Sequence, residues 1–342
     1  MKAVWFEAYG GPEVLQYGDR PEPVLRADEA LVRVRACGIN HLDLWVRKGL
    51  PGLSPEMPHI LGNDIVGDVV AVGDAVRHLT VRARTLVLPT LSCGACPACM
   101  NGDDNLCRLY DVLGRGRNGG YAEYVSVPAV NCLPYPERLS YEQAAAVPLV
   151  FLTAWHMLVG RAAVRAGENV LVMGAGSGVG TAAIQIARML GARVIATATS
   201  AAKRERALAL GAHAALDSGA SDLASQVRAL TAKKGADVVI EHIGGHLFEA
   251  GVGSLARNGR LVTCGATIGA KVSLDINVLF GKHLSLMGSW MGRRAELVEV
   301  MQHVASGALE PVVDRVLPLA DARSAHESLE AGQVFGKVVL VP

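Results

Sequence analysis

The most informative segment of the sequence is residues 168–180, Glu168-Asn169-Val170-Leu171-Val172-Met173-Gly174-Ala175-Gly176-Ser177-Gly178-Val179-Gly180. A short apolar run passes directly into a glycine cluster, and a helical pattern follows from Gly180 to Leu190. Glycines between a strand and a helix allow a tight turn, a close approach of backbone to a pyrophosphate, and close packing of helix on strand. Backbone N–H groups and the positive end of the helix then face the phosphates. The predicted cofactor-binding residues of this turn are Gly174, Gly176, Ser177, Gly178, Val179 and Gly180.

Strand-like and helical segments alternate after the turn. Further strands are predicted at Arg193–Ala198, Ala236–Ile240, Arg260–Cys264 and Leu284–Gly288. Strands that alternate with helices indicate a parallel sheet covered by helices on both faces. We therefore expect a doubly wound α/β domain over residues 141–290.

The first 140 residues have a different sequence pattern. Short alternating segments, such as Ala30–Arg35 and Ile65–Val72, are separated by Gly, Pro and Asp turns, which indicates an irregular β-rich domain. The end of the chain, Val334–Val341, returns to strand-like sequence and is expected to pair with this domain. Residues 1–140, completed by residues 291–342, are thus expected to form the second domain of an α/β protein.

The end of the second α/β strand bears on the choice of cofactor. An NAD-preferring site usually has an acid here, which accepts hydrogen bonds from the ribose hydroxyls. This sequence has two hydroxyls and two cations instead, Thr199, Ser200, Lys203 and Arg204. Such groups suit a 2′-phosphate, so NADP is predicted, with NAD as the alternative and a solvated helix start as the non-functional explanation of the cations.

Four of the seven cysteines lie in one short segment. Cys93, Cys96, Cys99 and Cys107 have spacings of C-x2-C, C-x2-C and C-x7-C. Short loops of this kind bring four thiolates around a tetrahedral zinc ion and leave no open coordination position. We expect one structural zinc ion here; the alternatives are two disulfides or an iron–sulfur cluster.

Composition and charge exclude several classes of protein. The formal net charge of the 342 residues is +1, which does not suggest a nucleic-acid or membrane-surface partner. The N-terminus lacks the pattern of a signal peptide, and no apolar run reaches the length of a spanning helix. A cytoplasmic enzyme that acts on a small molecule is the expectation.

Taken together, these motifs resemble the medium-chain dehydrogenase/reductase superfamily, which includes zinc alcohol dehydrogenases and quinone or enoyl reductases. The marks of the resemblance, besides the glycine turn and the cysteine segment, are Ala36–Asn40, Pro58–Gly62, Gly119–Tyr124, Leu152–Ala154 and Gly336-Lys337. The resemblance implies a GroES-like β-barrel domain, a Rossmann domain, and a homodimer or homotetramer. It also implies that Thr153 and Lys337 belong to the cofactor site. His242, at the end of a predicted strand, is expected to face the same site.

Departures from the zinc alcohol dehydrogenases concern the catalytic metal. In those relatives a Cys, the His of a Gly-His-Glu motif and a second Cys bind the zinc. Cys37 is taken here as the match to the first ligand, whereas the histidine is replaced by Asn63 and the last ligand by Leu149. Cys37 and Asp64 offer two ligands at most, and a catalytic zinc needs about three.

Without that metal, hydride transfer to an already activated acceptor is the easier reaction. We expect an NADPH-dependent reductase of enones, quinones or enoyl thioesters, with Asn40, His41 and Trp45 as the candidate catalytic residues. His41 would donate to an enolate, and Trp45 would line the pocket; Asp43 and Arg47 are expected to form a local helical ion pair. The alternatives are a zinc alcohol dehydrogenase with atypical ligands and a non-catalytic NADPH-binding protein.

Overall fold

A computed structural model describes all 342 residues of the chain. The chain divides into two compact units. The first unit comprises Met1–Leu149 and Arg293–Pro342, and the second comprises Val150–Gly292.

The elements are as follows in chain order. The strands and helices up to residue 155 are β1 (Lys2–Trp5), β2 (Gln16–Asp19), β3 (Glu29–Gly38), α1 (His41–Lys48), β4 (Asp64–Val72), β5 (Arg84–Val87), β6 (Thr90–Leu91), α2 (Pro97–Met100), β7 (Asp111–Val112), β8 (Tyr124–Pro128), β9 (Cys132–Leu133), α3 (Tyr141–Ala144) and α4 (Pro148–Trp155). A π-helix, His156–Arg161, continues α4. The remaining elements are β10 (Asn169–Val172), α5 (Gly178–Met189), β11 (Arg193–Ala198), α6 (Ala201–Ala209), β12 (Ala214–Asp217), α7 (Leu223–Leu230), β13 (Ala236–Glu241), α8 (Gly245–Ser254), β14 (Leu255–Thr263), α9 (Ile276–Gly281), β15 (Ser285–Gly288), α10 (Arg294–Ala305), β16 (Val313–Pro318), α11 (Ala322–Glu330) and β17 (Lys337–Val341).

The second unit is built on a six-stranded parallel sheet. Its strand order is β12-β11-β10-β13-β14-β15, and every neighbouring pair is parallel. Val170, Leu171 and Val172 of the central strand are fully buried, as expected for a strand covered on both faces. The order reverses between β10 and β13, and ligands of such sheets bind outside the carboxyl ends of the strands at this point. The predicted Rossmann fold is confirmed.

The first unit is organised around β3. This strand pairs with β4 and β8, and its end pairs antiparallel with β17, where Val339 lies opposite Gly38. The predicted pairing of the C-terminal segment with the first domain is confirmed. It brings residues near position 340 next to residues near position 40.

The boundary between the units lies later in the chain than the sequence predicts, at 149/150 rather than 140/141. The reason is that α3 packs on the first unit: Tyr141 Oη donates to Asp68 Oδ1 on β4 at 2.7 Å. The second boundary likewise lies at 292/293 rather than 290/291. One helical stretch, Tyr141–Arg161, has the length and apolar character of a membrane span, but 83% of its most apolar window is buried inside the protein, as in a core helix.

Candidate functional site

The glycine-rich turn joins the end of β10 to the start of α5. Ser177 Oγ caps α5 by accepting a hydrogen bond from Gly180 N at 2.8 Å. Gly174 has a φ of +69°, and a Cβ on Gly180 would lie 2.2 Å from Gly174 O, so a side chain is excluded at both positions. The first N–H groups of α5 therefore lie at the carboxyl ends of parallel strands, where an anion is stabilised. Gly176, Gly178 and Val179 complete this turn.

His242, which follows β13, contacts the same turn. Its Nε2 lies 2.7 Å from Ser177 Oγ. The sequence placed both residues in the cofactor site but did not predict that they touch. Thr153 lies buried in α4, where its Oγ1 is 3.8 Å from Met291 Sδ.

The polar groups at the end of β11 are partly engaged by the protein itself. Ser200 Oγ caps α6 by accepting from Lys203 N at 3.3 Å, and Thr199 precedes this cap. Arg204 Nη1 donates to Ala198 O at 3.2 Å and to Asp217 Oδ2 at 3.0 Å.

Asp217 is a residue that the sequence interpretation missed. It ends β12 and lies directly opposite Ala198 of β11 in the sheet. An acid is therefore present beside the end of the second strand, although it belongs to the neighbouring strand. The Rossmann strand order, which places β12 next to β11, was the signal that could have revealed it.

In the first unit, polar groups form a closed cluster around a buried ammonium. Lys337 Nζ donates to Ile39 O at 2.6 Å, to Asn40 Oδ1 at 2.5 Å and to Asp64 Oδ2 at 2.8 Å. An ammonium has three hydrogens, and all three are used here. Lys337 is therefore not available to a cofactor, and this sequence prediction is wrong: the pairing of β17 with β3 carries the side chain into the interior, beside Asn40 and Asp64.

The side-chain amide of Asn40 also makes more hydrogen bonds within the protein than a substrate-binding amide would. Its Nδ2 donates to Asp64 Oδ2 at 2.9 Å and, more weakly, to Asn63 Oδ1 at 3.4 Å. Asp64 Oδ1 accepts from Leu149 N at 2.7 Å. The side chain of Asn40 thus holds the cluster together, and the prediction that it bonds the substrate is corrected to a positioning role.

Cys37 lies near Asp64 and Lys337 but takes no part in the side-chain hydrogen bonds of this cluster. A Cβ on Gly62 would be 2.8 Å from its Sγ, and one on Gly120 would be 3.0 Å away, so the thiol packs against backbone in the core. Burial raises the pKa of this thiol well above its ordinary value. The side chain that meets Asn63 comes from Asn40, so the assignment of Cys37 to the first zinc-ligand position is wrong.

His41 and Trp45 lie one turn apart on α1, with ring centroids 6.4 Å apart. Asn40 caps this helix, and its backbone N donates to Asp43 Oδ2 at 2.7 Å. Burial, together with the cations Lys337 and Lys48, lowers the pKa of His41 to about 4. The imidazole is therefore neutral near pH 7 and offers one N–H donor.

Asp43 and Arg47 do not form the predicted ion pair. Arg47 is fully buried and binds Glu330 and His326 of α11, with 2.9 Å between Nη1 and His326 Nδ1. Asp43 Oδ1 instead accepts from Gly62 N at 3.1 Å, and burial raises the pKa of its carboxyl to about 7. Tyr121 joins the two groups, since its Oη donates to Asp43 Oδ2 at 3.1 Å and lies 3.2 Å from His326 Nε2. Contacts between α11 and α1 therefore decide the partners of Arg47, and the four-residue spacing of Asp43 and Arg47 along α1 does not.

The four clustered cysteines converge on one point. Their Sγ atoms all lie within 4.8 Å of one another. The distances are 3.9 Å for Cys93–Cys99, 3.5 Å for Cys96–Cys99 and 3.6 Å for Cys93–Cys107. Zinc–sulfur bonds of about 2.3 Å in a tetrahedron place the sulfurs about 3.8 Å apart, whereas a disulfide requires about 2.05 Å. Backbone N–H groups of Ala95 and Cys96 lower the pKa of Cys93 to about 6, which favours the thiolate form that binds metal, whereas burial raises the pKa of Cys99 to about 11.

Two family models match the chain. One, described as an alcohol dehydrogenase GroES-like domain, matches residues 26–137, and the other, described as a zinc-binding dehydrogenase, matches residues 178–306. The chain is 29% identical to the quinone oxidoreductase of Homo sapiens, with 100% of this chain and 98% of the relative covered. It is 32% identical to the alcohol dehydrogenase of Geobacillus stearothermophilus, with 99% of each chain covered. A solved structure of an NAD-dependent alcohol dehydrogenase superposes with a TM-score of 0.97 at 47% identity, with 100% of both chains covered.

Proposed function

Because the chain belongs to the medium-chain dehydrogenase/reductase superfamily and is an NAD(P)-dependent oxidoreductase, we propose that it reduces activated carbon–carbon double bonds or quinones without a catalytic zinc ion. The observation that carries this proposal is the closed cluster of Asn40, Asp64 and Lys337. Within this cluster the Lys337 ammonium neutralises the Asp64 carboxylate, and neither Asn40 nor Lys337 is a usual zinc ligand.

The side chains in this cluster do not suit zinc. Protein zinc sites use Cys, His and carboxylate ligands, whereas the positions that meet here are Asn40, Asn63 and the backbone of Leu149. The one carboxylate, Asp64, is neutralised by the Lys337 ammonium at 2.8 Å. A cation placed among these groups would be repelled by the ammonium at short range.

Hydride transfer to an enone or a quinone needs no Lewis acid at this position. When bound, a dihydronicotinamide would supply the hydride to the carbon of the acceptor, and the negative charge would then rest on the conjugated oxygen. A fixed hydrogen-bond donor stabilises that oxyanion. We assign this role to the neutral imidazole of His41, with Trp45 as the apolar wall that orients the acceptor, and with water as the source of the second proton.

Alcohol oxidation is the second candidate. It is favoured by the 47% identity to an NAD-dependent alcohol dehydrogenase. Deprotonation of an alcohol near pH 7 normally relies on a metal that stabilises the alkoxide, and the Asn40–Lys337 cluster offers none. A non-catalytic NADPH-binding role would leave His41 without a function.

For the cofactor we propose NADP, with NAD accepted. The cations Lys203 and Arg204 and the hydroxyls of Thr199 and Ser200 support binding of a 2′-phosphate. Asp217 opposes it, since it binds Arg204 and adds a negative charge near the same place. We therefore expect a modest preference for NADPH rather than an absolute one.

For the cysteine segment we propose one structural zinc ion at Cys93, Cys96, Cys99 and Cys107. The convergence of the sulfurs within 4.8 Å supports it. Four thiolates fill the coordination sphere, so this ion would stabilise the loop and take no part in hydride transfer.

For the assembly we propose a cytoplasmic homodimer or homotetramer that contacts through the second unit. The edge strand β15 has one open side, and exposed edges tend to pair with another chain. Ile276 and Phe280 of the preceding helix are 66% and 64% exposed, which is unusual for large apolar side chains.

The test combines metal content with a substrate screen. We expect about one zinc ion per chain by elemental analysis of protein purified without added metal. NADPH should be oxidised with cyclohexenone, benzoquinone or crotonyl-coenzyme A, and alcohols with NAD⁺ should give no turnover. Two zinc ions per chain, together with alcohol oxidation that a chelator abolishes, would refute the proposal.

The role of His41 is tested separately. His41→Phe removes the donor but keeps a planar ring, and kcat for enones should fall about 100-fold, as for the loss of an oxyanion donor. Trp45→Phe is the matched control and should change mainly KM. An unchanged kcat in the His41 variant would remove this residue from the mechanism.

A further inference from the structure

A fully buried carboxylate lies at the end of β13, the strand next to β10 in the parallel sheet. Glu241 Oε1 accepts from Ile243 N at 2.6 Å and from Gly244 N at 2.7 Å, and Oε2 accepts from Thr263 Oγ1 at 2.8 Å. These partners are neutral donors, so the charge is held by hydrogen bonds alone. Burial of a carboxylate is costly unless its oxygens are bonded in this way, which indicates a role for the loop that supplies the donors.

That loop has a narrowly defined path. Gly244 and Gly245 adopt left-handed φ values of +81° and +52°, and a Cβ on Gly244 would lie 2.3 Å from Gly269 O. Gly245 N donates back to Gly269 O at 2.9 Å. The loop is thus held by Glu241, which accepts from Ile243 N and Gly244 N, and by Gly269, which accepts from Gly245 N. The direction of the His242 side chain therefore follows from the position of Glu241.

His242 in turn contacts the glycine-rich turn. Its Nε2 lies 2.7 Å from Ser177 Oγ, the atom that also accepts from Gly180 N at the start of α5. Gly174 leaves room for this contact, because a Cβ there would lie 3.1 Å from His242 Nε2 and 2.9 Å from Ile243 Cδ1. Glu241, His242 and Ser177 therefore form a continuous connection from the interior of the sheet to the turn.

We propose that Glu241 is a positioning residue for cofactor binding: through His242 and Ser177 it sets the conformation of the turn that receives the cofactor pyrophosphate. The inference rests on the assignment of that turn to a nicotinamide nucleotide. In this arrangement Ser177 Oγ shapes the turn instead of bonding the phosphate, which leaves the backbone N–H groups as the anion donors.

The test is direct binding of NADH and NADPH, followed by the fluorescence of the reduced nicotinamide. Ser177→Ala removes one end of the connection, and Glu241→Gln weakens the other end, because a neutral amide oxygen replaces the carboxylate as acceptor for Ile243 N and Gly244 N. Each should weaken binding about fivefold, the effect of about one net hydrogen bond. The two substitutions act on one connection. The dissociation constant of the double variant should therefore exceed that of the weaker-binding single variant by no more than about twofold.

Two further variants separate positioning from general destabilisation. Ser254→Ala deletes another hydroxyl of the second unit, which bonds Ala250 O at 2.8 Å and does not touch the turn. It should leave the dissociation constants unchanged even where its melting temperature falls. Glu241→Ala should bind more weakly than Glu241→Gln, because Gln keeps an acceptor for Ile243 N and Gly244 N.

The outcomes are distinct. Unchanged dissociation constants in Ser177→Ala and Glu241→Gln, or fully multiplicative effects in the double variant, would overturn the inference and leave the proposed function intact. A wild-type protein that binds neither NADH nor NADPH would overturn both.

Discussion

Replacing Lys337 with Met should cost about 3–5 kcal/mol of unfolding free energy, the usual penalty for removing one partner of a buried ion pair. The Nζ–Oδ2 distance to Asp64 is 2.8 Å. At an effective dielectric constant of about 20, that separation corresponds to an attraction of about 6 kcal/mol before desolvation is subtracted. The variant also loses donors to Ile39 O and Asn40 Oδ1, and it leaves the Asp64 carboxylate buried without a cation.

The assay is urea unfolding of the purified protein at pH 7, supported by thermal melting. With about 2.1 cal/mol/K of unfolding entropy per residue, each kcal/mol shifts the melting temperature of the 342-residue chain by about 1.4 °C. Asp64→Asn combined with Lys337→Met should recover part of the loss, since Asn keeps an acceptor for Leu149 N without the charge. Lys2→Met is the surface control: Lys2 pairs with Asp19 in a solvent-exposed bridge, and the change should cost far less stability than Lys337→Met.

Two results would contradict this reasoning. One is a Lys337→Met protein within about 1 kcal/mol of wild type, which is the range expected for exposed pairs. The other is a double variant no more stable than Lys337→Met, which would show that the uncompensated charge of Asp64 is not the cause.

Three other predictions concern the cofactor, the cysteine segment and acid stability. Arg204→Ala should raise the KM for NADPH about tenfold, the loss of one charge-assisted hydrogen bond, and leave that for NADH nearly unchanged; equal effects on both cofactors in steady-state kinetics would exclude 2′-phosphate binding by this residue. Cys107→Ser should abolish zinc in elemental analysis and lower the melting temperature, whereas Cys264→Ser, outside the cluster, should retain the metal; retention in both would remove Cys107 from the ligand set. Burial and Arg47 lower the pKa of His326 to about 3, so at this residue the unfolded chain binds a proton before the folded chain does. The contribution of His326 to stability should therefore fall as the pH drops below about 6.5. His326→Gln should flatten this slope in urea titrations between about pH 6.5 and 4, whereas the exposed His246→Gln should not, and an unaltered slope in the former would assign acid sensitivity to other groups.

The sequence pattern was sufficient to predict features that depend only on residues close together in the chain. The glycine turn, its flanking strand and helix, and the zinc-like spacing of Cys93, Cys96, Cys99 and Cys107 all depend on residues within a few positions of each other. Backbone conformation at Gly174 and Gly180 is decided by steric contacts inside the same turn. The Rossmann fold follows from them because alternating strands and helices of this length have few ways to pack.

Errors in the sequence interpretation have a common origin in contacts between distant segments. Arg47 was paired with Asp43 by helical spacing, but its partners, His326 and Glu330, lie about 280 positions later in the chain. Asp217 was missed because its proximity to Ala198 arises from strand order and not from sequence spacing. The assignment of Cys37 to a ligand position failed for a similar reason, since which face of β3 a residue occupies depends on the strands paired with it.

The sequence by itself determined the superfamily, the glycine-rich turn and the order of strands and helices, and it predicted the absence of most of the usual catalytic-zinc ligands. Only the tertiary structure decided which groups surround the Asp64 carboxylate. The ammonium of Lys337 reaches Asn40 and Asp64 because β17 pairs with β3 across some 300 residues of chain. Strands so far apart in sequence are brought together by burial of the whole strand and not by any local preference of their residues.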